Sequence, residues 1–233
     1  MAARIWFVIA AAGAARRFGG NVAKPYLRLG GRTLLERALG TLMALPGVAG
    51  GVVVLAAGDR RFRRLPAALR RRVTIAPGSS TRARSVLNGL RELSAAAATD
   101  WVLVHDAARP CLPRRDLAAL VATCRRDRIG GLLAVPVTDT LKRSDRAGRS
   151  RGSVPRERLW RAQTPQMFRY GALVRALTRA LEAGIEPTDE AGALERLGLR
   201  PRLVEGSTLN IKVTRPADLE LARAVLRAQQ GRK

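Results

Sequence analysis

The chain runs to 233 residues, 47% apolar and 26% charged, and its 43 Lys and Arg against 18 Asp and Glu leave a net charge of +25. That length holds one large α/β domain or two small ones and buries a sizeable core. Cys111 and Cys124 are the only cysteines and His105 is the only histidine, which excludes a disulfide framework and a zinc site and makes a reducing cytoplasm the expected compartment.

Ile5 to Ala12 is a continuous apolar run and reads as a buried first strand. It is too short to span a membrane, and no signal peptide is expected. A small-residue loop follows with Gly13, Arg16, Arg17, Gly19 and Gly20, then Lys24-Pro25 and Gly30-Gly31. Thr33 and Glu36 have the capping-box spacing, and Leu34, Leu35, Ala38, Leu39 and Leu42 recur at helical period, which predicts a helix over Thr33 to Leu45. Gly51 to Ala57 reads as a second buried strand, Asp59 to Arg72 as a short exposed helix, and Val73 to Ala76 as a short strand. Pro77 to Ser80 is a loop ending in a helix cap, and Val86, Leu87, Leu90 and Leu93 give the next helix its inner face. Asp100 to Val104 is another buried strand, Arg114 to Arg126 a helix and Gly130 to Val137 a strand.

Thr138 to Arg158 breaks the pattern, being polar, basic and short of apolar residues. It is either a disordered surface loop or an arm that orders against a partner subunit. Apolar content resumes at Leu159 to Phe168, and Tyr170 to Gly184 is helical. Thr188 is expected to cap a short helix beginning with Asp189 and Glu190. Leu203 to Glu205 and Asn210 to Val213 read as short strands, and Thr214-Arg215-Pro216 opens the last helix. The expected architecture is α/β: one domain over 1–233, a mostly parallel sheet flanked by helices, and a projecting arm at about 138–158. In such sheets ligands sit beyond the carboxyl ends of the strands, so the Gly13–Lys24 loop and the Asp106 loop should face one cleft.

The charge suggests polyanionic partners (nucleic acid, anionic lipid or phosphorylated substrates), with compositional drift toward arginine on a solvated surface as the alternative. Aromatics at 4% give no stacking platform, and the arginines are spread along the chain rather than gathered in a tail, which weakens the nucleic-acid reading. A small-residue loop with fixed cations after a buried strand suits phosphate, because backbone N–H groups approach the anion closely; a plain turn with solvated arginines is the alternative. Asp106, on a loop after a buried strand, suits Mg²⁺ completed by substrate phosphate oxygens, or else caps its loop or pairs with Arg109. Lys24 and Lys212 are lysines in an arginine-dominated chain and would serve as compact point charges beside phosphate. Thr140, Thr164 and Thr188 occupy polar turns, where each also fits a plain cap. No Ser/His/Asp set is present, and a phosphate nucleophile, already anionic near neutral pH, needs no general base.

Seven stretches, in this order, resemble the 2-C-methyl-D-erythritol 4-phosphate cytidylyltransferases of the non-mevalonate isoprenoid pathway. They are Ala10–Leu27 (AAAGAARRFGGNVAKPYL), Ser80–Leu90 (STRARSVLNGL), Val102–Pro110 (VLVHDAARP), Pro136–Arg143 (PVTDTLKR), Leu159–Phe168 (LWRAQTPQMF), Pro187–Glu195 (PTDEAGALE) and Asn210–Leu219 (NIKVTRPADL). The resemblance implies a Rossmann-like nucleotidyltransferase fold, Mg²⁺ dependence and a homodimer formed by exchange of the arm. It implies that Arg17 and Lys24 hold the CTP triphosphate, and that Lys212 joins them in catalysis. Ala11, Ala12, Gly13, Ser79, Ser80 and Ser85 would recognise cytosine and ribose, with Arg82 supporting that loop. Asp106 would bind Mg²⁺ near the methylerythritol hydroxyls, and Thr188 and Lys212 would hold the second substrate. Thr140 and Arg156 on the partner's arm would reach its phosphate, and Arg109 and Thr164 would support the site from behind. The chain is expected to be the form not fused to the pathway's cyclodiphosphate synthase. Ribitol 5-phosphate is the competing substrate, and a basic nucleic-acid-binding protein on this scaffold is the competing class.

Overall fold

The structure, a computed structural model, describes residues 3–13 and 23–230. Strands β1 (Ile5–Ala10), β2 (Val48–Leu55), β3 (Val73–Pro77), β4 (Trp101–Asp106), β5 (Gly130–Pro136), β6 (Trp160–Arg169) and β7 (Arg202–Glu205) form a seven-stranded sheet in the order β7-β5-β6-β4-β1-β2-β3. All neighbours pair in parallel except β6, which runs against both β4 and β5. Helices α1 (Leu34–Met43), α2 (Arg82–Arg91), α3 (Arg114–Arg125), α4 (Tyr170–Glu182), α5 (Glu190–Glu195) and α6 (Pro216–Gln230) complete the framework.

The central strands β1, β2 and β5 read as unbroken apolar runs because both faces of the sheet are covered there, whereas the edge strands β3 and β7 are largely exposed. Successive side chains leave a strand on opposite faces. Phe7 and Ile9 therefore pack with Leu35 and Leu39 of α1 and Leu117 and Leu120 of α3. Val8 points the other way, against Val86 and Leu90 of α2 and the α4 residues Leu173 and Leu177. Gly89 lets α2 lie flat on the sheet: a Cβ there would come within 2.7 Å of Val8 and Val54.

The N-terminus of α1 carries the capping box that its sequence spacing predicts. The Glu36 N–H donates to the Thr33 hydroxyl at 3.1 Å, and the Thr33 N–H donates to the Glu36 carboxylate at 2.5 Å. Thr33→Ala should lower stability by about 1 kcal/mol, read as a fall in the urea midpoint at unchanged m-value.

Three local expectations are corrected. Residues 59–72 form no single helix; Pro66 separates a 3₁₀ turn at Arg61–Arg64 from one helical turn at Ala67–Arg70, and Phe62 and Leu65 are buried rather than exposed. The helix after the Pro77–Ser80 loop is capped by Thr81, whose hydroxyl accepts from the Arg84 N–H. Asn210–Val213 forms no strand: the chain bends at Asn210, although the Val213 N–H reaches the Ala108 carbonyl at 2.8 Å. The stretch from Leu159 is the antiparallel β6, and the segment before it is ordered: Leu141–Ser144 and Ser150–Val154 pair as an exposed antiparallel hairpin.

Candidate active site

The order of the strands reverses between β1 and β4, and such a switch point opens a crevice at the carboxyl edge. Ala10 and Asp106, the last residues of the two strands, pair in register there. The loop after β3 closes one side. Gly78 is required at its start, because a Cβ would lie 2.3 Å from that of Ala12. The result is a cleft of about 480 Å³ lined by residues from five segments distant in sequence. Among the predicted site residues it gathers Ala11, Ala12, Gly13, Lys24, Ser79, Ser80, Arg82, Ser85, Asp106 and Lys212.

Asp106 is the electrostatic centre. Its Oδ1 accepts from Arg82 Nε at 2.9 Å and its Oδ2 lies 2.6 Å from Lys212 Nζ, while its side chain is only 8% exposed. Burial pushes the carboxyl upward, but Arg82 and Lys212 outweigh it and hold the group well below the usual carboxylate range. Arg82 turns its other two nitrogens to Glu190, at 2.7 and 3.2 Å. Burial lowers Arg82, and the Glu190 and Asp106 carboxylates more than restore it. Burial raises the Glu190 carboxyl above its usual range, and the Arg82 guanidinium offsets part of that rise.

A second layer fixes the backbone of the β4 loop. The Thr164 hydroxyl accepts from the Asp106 N–H at 3.0 Å and meets His105 Nδ1 at 2.9 Å. His105 Nε2 lies 3.2 Å from the Arg109 carbonyl, which assigns the proton to Nε2 and leaves Nδ1 to accept from Thr164. Burial holds the His105 pKa down, to about 4, so the ring is neutral. Arg109 donates to the carbonyls of Asn210 and Ala162, tying the Lys212 segment to β6 behind the cleft. It is not the ion-pair partner of Asp106, which the sequence left open. Ser85 braces the loop after β3, accepting from the Ser79 N–H at 2.9 Å and donating to the Thr81 carbonyl at 2.7 Å.

Other predicted residues lie elsewhere. Thr188 is exposed and does not cap α5; Asp189 does, through the Gly192 N–H at 2.9 Å. Thr140 and Arg156 are exposed on the segment carrying the hairpin, with an Arg156 nitrogen on the Thr138 carbonyl, and neither lines the cleft of its own chain. Arg17 lies outside the described residues. Sequence reading missed Glu190, which is 0% exposed, because its partner Arg82 stands 108 positions away and only the fold brings them together. The single available signal was a glutamate amid apolar neighbours in Glu190–Glu195.

The family model for 2-C-methyl-D-erythritol 4-phosphate cytidylyltransferase matches residues 5–228. The chain belongs to this family. Members similar to it include the cytidylyltransferase of Pseudomonas fluorescens strain SBW25, 53% identical over 220 residues and 94% of both chains. That of Ectopseudomonas mendocina strain ymp is 51% identical over 221 residues, again 94% of both. Among solved structures, a 4-diphosphocytidyl-2C-methyl-D-erythritol synthase is 40% identical and superimposes with a TM-score of 0.84, covering 97% of this chain and 99% of that one. The Rossmann-like nucleotidyltransferase sheet expected from the sequence is therefore the fold of this cytidylyltransferase-family chain.

Proposed function

We propose that the cleft transfers CMP from CTP to 2-C-methyl-D-erythritol 4-phosphate, giving 4-diphosphocytidyl-2-C-methyl-D-erythritol and pyrophosphate for isoprenoid precursors made by the non-mevalonate route. The observation that carries the site assignment is the Asp106 carboxylate at the β1/β4 switch point, held between Arg82 and Lys212 in a chain of this family. An oxygen of the polyol phosphate attacks the α-phosphorus of CTP, a P–O bond forms, and the bond to the β-phosphate breaks with its electron pair leaving on pyrophosphate. The nucleophile needs no base, because a phosphate monoester loses its second proton near pH 6. His105 is unsuited to that task in any case, being 0% exposed with both ring nitrogens engaged.

The backbone near Ala11, Ala12 and Gly13 serves cytosine and ribose, and Lys24, in the same cleft, holds the triphosphate. Arg17 keeps the triphosphate role implied by resemblance. Ser79 and Ser80 face the nucleoside side, on a loop that Ser85 braces. Lys212, whose side chain is 41% exposed, is able to leave Asp106 Oδ2 for substrate phosphate. Thr188, exposed and outside the lining of the cleft, keeps the polyol role implied by resemblance.

The donor set fits Mg²⁺. No group of three His, Cys, Asp or Glu stands ready to hold a metal among the described residues, and Asp106 is one ionised carboxylate with a lone pair left on each oxygen. Mg²⁺ is suited by such a site when phosphates supply the other ligands. Bound there, it supplies charge neutralisation across the phosphate oxygens.

The chain works as a homodimer in which Thr140 and Arg156 reach the partner's polyol phosphate. It acts in the cytoplasm; no helix among the described residues is long and apolar enough to cross a membrane. Pyrophosphate release from CTP and Mg²⁺, with 2-C-methyl-D-erythritol 4-phosphate and ribitol 5-phosphate offered in parallel, tests the reaction. Release with the first alone is expected; release with the second alone would replace the substrate.

A further inference from the structure

Glu190 has no part in the roles assigned above, yet among the described residues it is the most deeply enclosed charge near the cleft. Its side chain is 1% exposed and takes both terminal nitrogens of Arg82, at 2.7 and 3.2 Å. The remaining Arg82 nitrogen, Nε, serves Asp106 Oδ1 at 2.9 Å, and Lys212 takes Oδ2. The four side chains form a ladder of alternating charge that sums to zero and crosses from α5 through α2 and β4 to the Lys212 segment.

The backbone carrying Glu190 is clamped from β6. Gln166, 1% exposed, accepts from the Ala191 N–H at 2.8 Å and donates to Asp189 at 2.9 Å. The guanidinium is a planar fork, so a two-point bond to one carboxylate fixes the direction of its third nitrogen. With Glu190 in place, the Arg82 fork is held so that Nε meets Asp106 Oδ1, and Oδ2 stays with Lys212. Without it, the fork is free to take both Asp106 oxygens or to turn to an anion in the cleft, and the Asp106–Lys212 geometry is lost. Burying an ion pair is a weak source of stability compared with apolar packing, which leaves geometry as the reason for this one.

We propose that Glu190 is a positioning residue for cytidylyl transfer, orienting Arg82 so that Asp106 and Lys212 meet the substrates in one arrangement. The inference rests on the roles proposed above for Asp106 and Lys212.

The test compares the wild type, Glu190→Gln, and the double variant Glu190→Leu with Arg82→Met, by steady-state kinetics and thermal melting. Glu190→Gln is expected to lower kcat roughly ten- to a hundredfold with KM for CTP within about twofold, the pattern of a misplaced reacting group rather than lost binding. The apolar pair removes both buried charges together and is expected to melt no lower than Glu190→Gln, while its kcat stays low. A stabilising role alone predicts the opposite, with turnover returning along with the melting temperature. Wild-type kcat in Glu190→Gln, or in the apolar pair, would overturn the positioning role. Absence of turnover in the wild type would instead overturn the reaction itself, so the two failures are separable.

Discussion

Replacing Lys212 with alanine is expected to lower kcat roughly a hundredfold or more, and Lys24→Ala is expected to do the same. Charge develops on the oxygens around the α-phosphorus as the new bond forms, and a cation already in position meets it without solvent having to reorganise. Lys212 sits 2.6 Å from Asp106, on a segment pinned by the Val213–Ala108 and Arg109–Asn210 hydrogen bonds. Lys24 begins a 3₁₀ turn whose next two residues, Pro25 and Tyr26, are buried, with the Tyr26 hydroxyl on Asp59 at 2.9 Å. Both ammonium groups are therefore delivered by rigid backbone. The Lys212 side chain packs little, so Lys212→Ala should keep the melting temperature close to that of the parent. Single-turnover measurement of CMP transfer separates chemistry from product release. Near-parental transfer in folded Lys212→Ala protein would remove this residue from the mechanism.

Arg156→Ala and Asp106→Ala subunits should each be inactive alone and active when mixed. If Thr140 and Arg156 serve the partner's cleft, a heterodimer contains one cleft with both an intact carboxylate and an intact arm. Random assortment of equal amounts makes half the dimers heterodimers with one working site in two, so activity should return to about a quarter of the parental value. The geometry motivating this is local: the hairpin strands Leu141–Ser144 and Ser150–Val154 are exposed over most of their length, and Thr140 and Arg156 flank them outside their own cleft. Mixtures that remain inactive after subunit exchange, verified by mass, would confine each active site to one chain.

The sheet was legible because its central strands are buried on both faces and written in unbroken apolar runs such as Val102–Val104. The edges were less so. Residues 59–72 carry enough leucine and alanine to suggest one helix, but Pro66 cannot supply the N–H that continuity requires. Asn210–Val213 has the composition of a strand, yet its side chains serve other ends: Asn210 donates to Gln163 and Thr164, and Lys212 faces Asp106. Of the site, the glycine and alanine loop, Asp106 and the two lysines could be read because their chemistry is local to each residue. Glu190, Gln166 and the His105–Thr164 contact could not, since each becomes meaningful only through a partner that β6 or α5 brings from far along the chain. The hairpin had two readings in sequence because a polar, basic stretch has no core of its own to declare it.

The reversed course of β6 has a consequence for how the chain folds and diverges. Because β6 returns beside β5, the two ends of the hairpin segment meet at once, with Trp160 opposite Pro136 and the Val137 N–H on the Leu159 carbonyl. The segment is a closed detour between hydrogen-bonded neighbours, and doubling the length of such a loop costs only about 0.6 kcal/mol of closure entropy. A parallel strand at this place would have needed a crossover packed on the sheet, and any change in its length would have disturbed the core. Here the detour is free to lengthen, shorten or exchange its residues while the pairing register of the sheet stays fixed. The exposed surface of the detour and the folding of the sheet can thus drift independently of each other.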